Sequence, residues 1–368
     1  MATVGASART INFSSGPAAL PEPVLRKAQA ALWDLAGSGI GILEHSHRGP
    51  EFAAVLDDAE QRLRALADVP ASHTILFVTG TASQHFFMVP MNFLPSGATA
   101  DYVHTGAWSG KAIEEARRHG GPAAVHLAGD ASGGGFRAIP TALTWSAAPA
   151  YAHYTSNETI HGTQWATPPR PPAGTPLVVD ASSDFLSRPL DVAAHDLIYA
   201  GAQKNLGPSG LTVVIARKTF IERAGAGLPA LLRYQTYAAE RSLHNTPNTF
   251  AIYVIAEVLA WIAEQGGLAG MAALSEAKAT RLYAAIDGSP HLRGHAEPGS
   301  RSRMNVTFRA TTPALEEALL ADAEAAGLSG LRGHRSVGGL RASIYNAMPM
   351  AGVERLVEVI AAFDRKHT

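Results

Sequence analysis

The chain contains no cysteine, which excludes disulfides, thiolate metal sites and a cysteine nucleophile. It also lacks an excess of charge of either sign. Thirty basic residues against 31 acidic ones give a formal net charge of −1, so there is no broad electrostatic footprint for nucleic acid or an anionic membrane. Long hydrophobic runs are scarce. The longest, Phe250 to Ile262, is interrupted by Glu257 and is too short to span a bilayer, so it reads as a buried helix. Met1 to Thr10 has no apolar core of the kind a signal peptide requires. Low-complexity tracts and internal repeats are absent as well. These absences lead us to expect an ordinary soluble, cytoplasmic protein. With 368 residues it exceeds the ~250–300 beyond which chains split into domains.

What the chain does contain is organised around two short apolar runs that break into small and polar residues. They are Leu177-Val-Val-Asp180-Ala-Ser-Ser and Leu197-Ile-Tyr-Ala-Gly-Ala-Gln-Lys204-Asn-Leu-Gly-Pro-Ser-Gly210. A buried parallel strand reads this way as it reaches the edge of its sheet, and the carboxyl ends of such strands are where open α/β sheets bind ligands. Taken singly, a loop lysine is usually a solvated charge, and an aspartate after a strand is a cap or turn former. Together at one sheet edge they offer an amine and an acid, as a pyridoxal phosphate site requires. The lysine holds the aldehyde covalently, and the acid keeps the pyridine nitrogen protonated.

In chain order, Ile11 to Ala18 is an extended lead-in closed by Gly16-Pro17, and Pro21 opens a helix. Glu44-His-Ser-His47-Arg48-Gly49 follows a glycine-rich loop and precedes a second helix with Phe52, Val55, Ala59, Leu63 and Leu66 on one face. His45 and His47 read as loop histidines, as an anion clamp beside Arg48, or as a zinc pair that lacks a third ligand of suitable spacing. From Thr74 strands alternate with helices. Ile75 to Thr79 runs into Gly80-Thr-Ala82-Ser83-Gln, a small-residue turn able to aim backbone N–H groups at an anion. Sharper phosphate motifs fail: Gly106-Ala-Trp-Ser-Gly110-Lys111 lacks one spacer and the Ser/Thr of a P-loop. Trp108 stands just past the strand Ala100 to Val103, either as core packing or as a ring to stack on a cofactor. Thr159, after the strand from Tyr151, is either a turn residue or a hydroxyl for a ring oxygen or phosphate. Ser132 to Arg137 reads as a hairpin or tight loop, and Leu211 to Ala216 as a buried strand.

Gly266-Gly267 marks the expected domain boundary. Beyond it Arg303 to Phe308, a helix from Pro313 to Ala326, Gly339 to Tyr345 and a helix from Val353 to Phe363 form a small α+β unit. His334, Arg335 and Arg341 cluster there beside glycines, a setting suited to anions.

In order along nearly the whole chain, Phe13-Ser-Ser-Gly-Pro-Ala, Ser46-His-Arg-Gly, Asn157-Glu-Thr-Ile, Ala200-Gly-Ala-Gln-Lys-Asn-Leu-Gly-Pro, Asn245-Thr-Pro, and Gly333-His-Arg with the following Gly-Gly-Leu-Arg-Ala-Ser-Ile-Tyr-Asn-Ala-Met-Pro resemble the phosphoserine aminotransferase family. That family belongs to the class V, fold-type I pyridoxal phosphate enzymes. The resemblance implies an α/β fold, with a large cofactor-binding domain over 16–265 and a small domain made of 1–15 and 266–368. It implies a homodimer with shared active sites and the substrates phosphoserine, glutamate, 2-oxoglutarate and 3-phosphohydroxypyruvate. Phosphohydroxythreonine of vitamin B6 synthesis is a further expected substrate.

By the same resemblance Lys204 is the cofactor lysine and Asp180 faces the pyridine nitrogen. Trp108 stacks on the ring and Thr159 bonds its phenolic oxygen. Ala82, Ser83 and Gln203 hold the phosphate, joined by Asn245 and Thr246 of a neighbouring subunit. Arg341, with Ser15, takes the substrate α-carboxylate. His334 and Arg335, with His47 and Arg48 of the neighbour, take the distal anion. No metal is expected. Gly80 to Gln84 departs from a family pattern richer in glycine, in which some members carry arginine where Ser83 stands. Other readings are an alanine–glyoxylate aminotransferase, a desulfurase (which the missing cysteine disfavours), a metal-dependent hydrolase using His45 and His47, and a non-catalytic phosphate binder.

Overall fold

The computed structural model describes residues 9–225 and 227–367. Most of the Met1–Thr10 segment therefore lies outside the described residues. Seven strands form the central sheet: β1 (His73–Thr79), β2 (Ala100–His104), β3 (Val125–Asp130), β4 (Ala152–Thr155), β5 (Leu177–Asp180), β6 (Leu197–Gly201) and β7 (Leu211–Arg217). Their spatial order is β1-β7-β6-β5-β4-β2-β3. Every pairing from β6 to β3 is parallel, and β7 alone runs antiparallel to both its neighbours. The apolar run of β7 is buried as expected, because it sits inside the sheet with both faces covered.

Alternate residues of one strand face opposite layers. Ile75 and Phe77 of β1 join a core with Val24 of α1 (Glu22–Trp33), Phe52 of α2 (Pro50–Leu66) and Ile252 of α5 (Thr249–Glu264). Leu76 and Val78 join the opposite core, with Phe86 of α3 (Ala82–Phe93) and Ile113 of α4 (Ala107–Gly120). The run Phe250 to Ile262 is the buried helix the sequence predicts, and its interrupting Glu257 pairs with Lys27 of α1 at 2.7 Å. Among the described residues no single helix is long and apolar enough to cross a membrane; α5 and α6 (Gly267–Gly288) satisfy that test only together, as a pair bent by 79°.

A third core gathers Leu282 and Ile286 of α6, the antiparallel strands β8 (Leu292–Gly294), β9 (Asn305–Ala310) and β10 (Leu340–Ser343), and helices α7 (Pro313–Ala325) and α8 (Met350–His367). Phe13 is part of this core, and Ile11–Asn12 pairs with Leu328–Ser329. Edge strand β3 escaped the sequence reading, whereas the Ser132 to Arg137 loop takes one of the two forms expected of it. Edge strand β3, Val-His-Leu-Ala-Gly-Asp, is only half-buried and lacks a clean alternation. The Ser132 to Arg137 loop is tight, with one 3₁₀ turn followed by Gly135 and Phe136 at φ +64° and +57°.

The register explains why the chemistry converges. Asp180 at the end of β5 is opposite Thr155 on one side and Tyr199 on the other. The segments leaving β4, β5 and β6 therefore emerge together, carrying Thr159, Asp180 and Lys204.

Candidate functional site

At this edge lies a cleft of about 620 Å³. Its lining includes Ser15, Ala82, Ser83, Trp108, Thr159, Asp180, Gln203, Lys204, His334 and Arg341, ten of the residues singled out from sequence. The Lys204 amine donates to Thr159 Oγ1 at 3.1 Å and lies 5.6 Å from the centroid of the Trp108 ring. Desolvation holds this amine below the ordinary lysine range, against the opposing pull of Asp180 and Glu158.

Asp180 is almost wholly buried. Its Oδ1 accepts from the Ser182 N–H at 3.0 Å and from Ser182 Oγ at 2.6 Å, which leaves Oδ2 available to a ligand. Burial pushes this carboxyl up, while the Lys204 charge and the Ser182 donors pull it down. Ser182 Oγ also accepts from the Gly201 N–H at 3.1 Å, tying the acid to the strand that delivers the lysine.

Arg341, on β10 of the C-terminal unit, reaches across to the cleft. Its Nη2 donates to Ser15 Oγ at 2.6 Å and its Nη1 to the Thr159 carbonyl at 3.5 Å, while its Nε is buried with no partner among the described residues. A guanidinium with an unused donor is suited to a carboxylate. The turn before α3 lacks a side-chain cap, so its first N–H groups are not used that way. Gly80 there sits at φ +133°, and a Cβ would approach Gln84 Oε1 to 2.1 Å. That glycine is required by its backbone conformation, whereas the Gln84 amide, the end of a flexible side chain, can swing aside.

Sequence reasoning missed Glu158, although it lies inside a quoted motif. Its buried carboxylate accepts from the N–H groups of Trp108 (3.1 Å) and Ser109 (2.9 Å) and from Ser109 Oγ (2.8 Å). It therefore caps α4 from outside the helix and holds the turn that carries Trp108. A Cβ on Gly106 would come within 2.6 Å of this carboxyl, so only glycine lets it approach. The available signal was an acid three residues after a strand end, which is too common to single out. Asn157 was also missed as a joint. It donates to Ser183 Oγ and to Asn305 Oδ1, both at 2.8 Å, linking the central sheet to β9.

Five expected site residues are not in this cleft. His47, Arg48, Asn245, Thr246 and Arg335 are absent from its lining, and Arg48, Thr246 and Arg335 are exposed. His47 Nε2 is buried without a partner among the described residues. His45 bonds Ser38 Oγ at 2.9 Å and lies 3.7 Å from Glu51, and no group of three or more metal-ligating side chains forms among the described residues.

The aminotransferase class-V family model matches residues 10–356. The chain belongs to the class-V aminotransferases. Within that family it groups with the phosphoserine aminotransferases. The one from Herpetosiphon aurantiacus is 50% identical over 358 residues, covering 96% of this chain and 98% of that protein. The solved structure of phosphoserine aminotransferase from Bacillus circulans subsp. alkalophilus superposes with a TM-score of 0.96 at 46% identity, covering 98% of this chain and all of that one. The pyridoxal phosphate-bound phosphoserine aminotransferase from Trichomonas vaginalis follows at TM-score 0.91 and 38% identity, covering 96% of this chain and all of that one. Class-V aminotransferases use pyridoxal phosphate, and this cleft fits it. A desolvated amine, a buried carboxylate with one oxygen unused, an indole beside the amine and an uncapped helix start all face one space.

Proposed function

We propose that this chain moves an amino group between glutamate and 3-phosphohydroxypyruvate, giving 2-oxoglutarate and O-phospho-L-serine, and that it also accepts the phosphohydroxythreonine couple. The observation that carries this reading is the convergence of Lys204, Asp180 and the Arg341–Ser15 pair on one cleft. Pyridoxal phosphate supplies a carbonyl for the substrate amine and a ring that takes up negative charge when the substrate α-proton leaves. With the cofactor bound, Asp180 Oδ2 would hold a proton on its ring nitrogen. Ser182 keeps the carboxylate in orientation through its two bonds to Oδ1.

The depressed Lys204 amine carries the α-proton, since a larger share of it is uncharged near neutrality than for a surface lysine. Thr159, whose hydroxyl lies 3.1 Å from that amine, would hold the ring oxygen of the bound cofactor. Trp108 covers the ring, with Glu158 fixing its backbone. Ala82, Ser83 and Gln203 receive the cofactor phosphate. Arg341 and Ser15 bind the α-carboxylate; His334, which lines the cleft, serves the distal anion, and the adjacent exposed Arg335 joins it by turning inward. Glutamate and phosphoserine carry an anion at each end, so one arginine-rich site serves both half-reactions.

We assign His47, Arg48, Asn245 and Thr246 to the cleft of a second copy in a homodimer. Their absence from the lining of their own cleft supports this, as do His47 Nε2, without a partner among the described residues, and the nearby exposed Trp33, Ile40 and Leu43. The division into residues 16–265 and residues 1–15 with 266–368 is likewise our reading; it is supported by Phe13 packing in the C-terminal core. We place the enzyme in the cytoplasm. The test is the visible absorption of the protein reconstituted with pyridoxal phosphate, followed as phosphoserine and then 2-oxoglutarate are added, with sedimentation of the same sample. No spectral response to phosphoserine would refute the substrate, and a monomer that turns over at full rate would refute the shared sites.

A further inference from the structure

Lys278 lies on the inner face of α6, in helical register with Met271, Ser275 and Leu282, and is completely buried. An aliphatic residue would suit that face, and burying an amine without a counter-charge is costly. Among the described residues no carboxylate pairs with it. Its Nζ instead donates to two backbone carbonyls, Tyr345 at 2.6 Å and Met348 at 3.0 Å. These are the first and last residues of the turn after β10, which is closed by the Met348 N–H on the Tyr345 carbonyl at 2.9 Å. Desolvation pushes the amine down to about 7, consistent with its being held by dipoles and not by an acid.

That turn touches both halves of the cleft. Tyr345 OH donates to the Ser15 carbonyl at 2.8 Å, beside the Ser15 hydroxyl that meets Arg341. The Asn346 N–H donates to Asn205 Oδ1 at 3.0 Å, and its side-chain amide to the Leu186 carbonyl at 2.9 Å. Asn205 is the residue after Lys204. One four-residue turn thus bonds to the carboxylate-binding side and to the lysine loop, and Lys278 pins it from behind.

We propose that Lys278 is a positioning residue: by pinning the Tyr345–Met348 turn it sets the spacing between the Arg341–Ser15 pair and the Lys204 amine. The inference rests on the substrate-binding reading above. Misplacement by about 1 Å of groups that orient a substrate costs about 100-fold in rate, so a small shift of the turn has a kinetic consequence.

The test compares wild-type and Lys278→Met holoenzyme by two readouts. The first, hydrogen–deuterium exchange, does not depend on the substrate. In the variant, exchange should rise at least about tenfold in segments 340–348 and 203–206 while the central strands stay unchanged. The second is kinetics with phosphoserine and 2-oxoglutarate: kcat/KM should fall about 10- to 100-fold with KM raised for both substrates, and cofactor affinity should be retained. A folded variant with wild-type kcat/KM, or with unaltered exchange at 203–206, overturns the proposal. Altered exchange in a protein whose wild type ignores phosphoserine would overturn the substrate reading and leave the positioning role standing. If Lys278→Met does not fold, Tyr345→Phe and Asn346→Ala break the two outgoing links with Lys278 intact. Wild-type kinetics and exchange in both would equally overturn the proposal.

Discussion

The buried amine of Lys278 makes a thermodynamic prediction that is independent of turnover. Its folded value is about 7 against 10.5 in the unfolded chain. Between those values the unfolded state binds the proton and the folded state does not, so this group makes stability rise with pH. Below about 7 both states are protonated and the folded state bears the full cost of a buried charge. Each pH unit in the window corresponds to about 1.4 kcal/mol. From pH 7 to 9.5 the wild type should therefore gain roughly 3 kcal/mol relative to Lys278→Met.

At about 2 cal/mol/K of unfolding entropy per residue, that is a relative shift of about 4 °C in Tm for a chain of this length. The Met348 carbonyl loses the Lys278 donor in the variant, at a cost of about 1–3 kcal/mol, but this offset does not vary with pH. The assay is thermal unfolding of both proteins at matched cofactor concentration from pH 6 to 9.5, with the Tm difference plotted against pH. A difference that stays flat, or that grows in the opposite sense, would refute the reasoning.

Other perturbations test the cleft itself. Lys204→Ala should abolish transamination while leaving the fold intact, checked by activity and circular dichroism; near-normal turnover would remove the assignment. Arg341→Ala should raise KM for phosphoserine and glutamate alike by at least about tenfold, the loss of a charge-assisted pair of about 1.5–3 kcal/mol, whereas Arg335→Ala should penalise the phosphorylated substrate more. Equal losses in the second variant would contradict that division. Glu158→Gln should cost about 2–3 kcal/mol, because an amide cannot accept from all three donors at the start of α4. It should also weaken cofactor binding through Trp108, measured as a dissociation constant; an unchanged constant would disconnect the cap from the ring.

Local chemistry explains how much could be read in advance. Apolar runs that end in Asp180 and Lys204 mark strand ends whatever surrounds them, so the α/β class and the amine–acid pair followed from the chain alone. The helices of the C-terminal unit were equally legible, since Thr312 before Pro313 and periodic leucines are local signals. Other features were not local. Edge strand β3 owes its state to a neighbour and not to its own alternation. Glu158, Asn157 and Lys278 acquire roles from partners 26 to 148 positions away, and nothing in their flanking residues distinguishes a buried clamp from a solvated polar group. The sequence by itself determined which residue types could do the chemistry and the order in which strands deliver them. Only the tertiary structure decided which of them share a cleft and which face away from it, because strand register and the packing of one core against another set those distances.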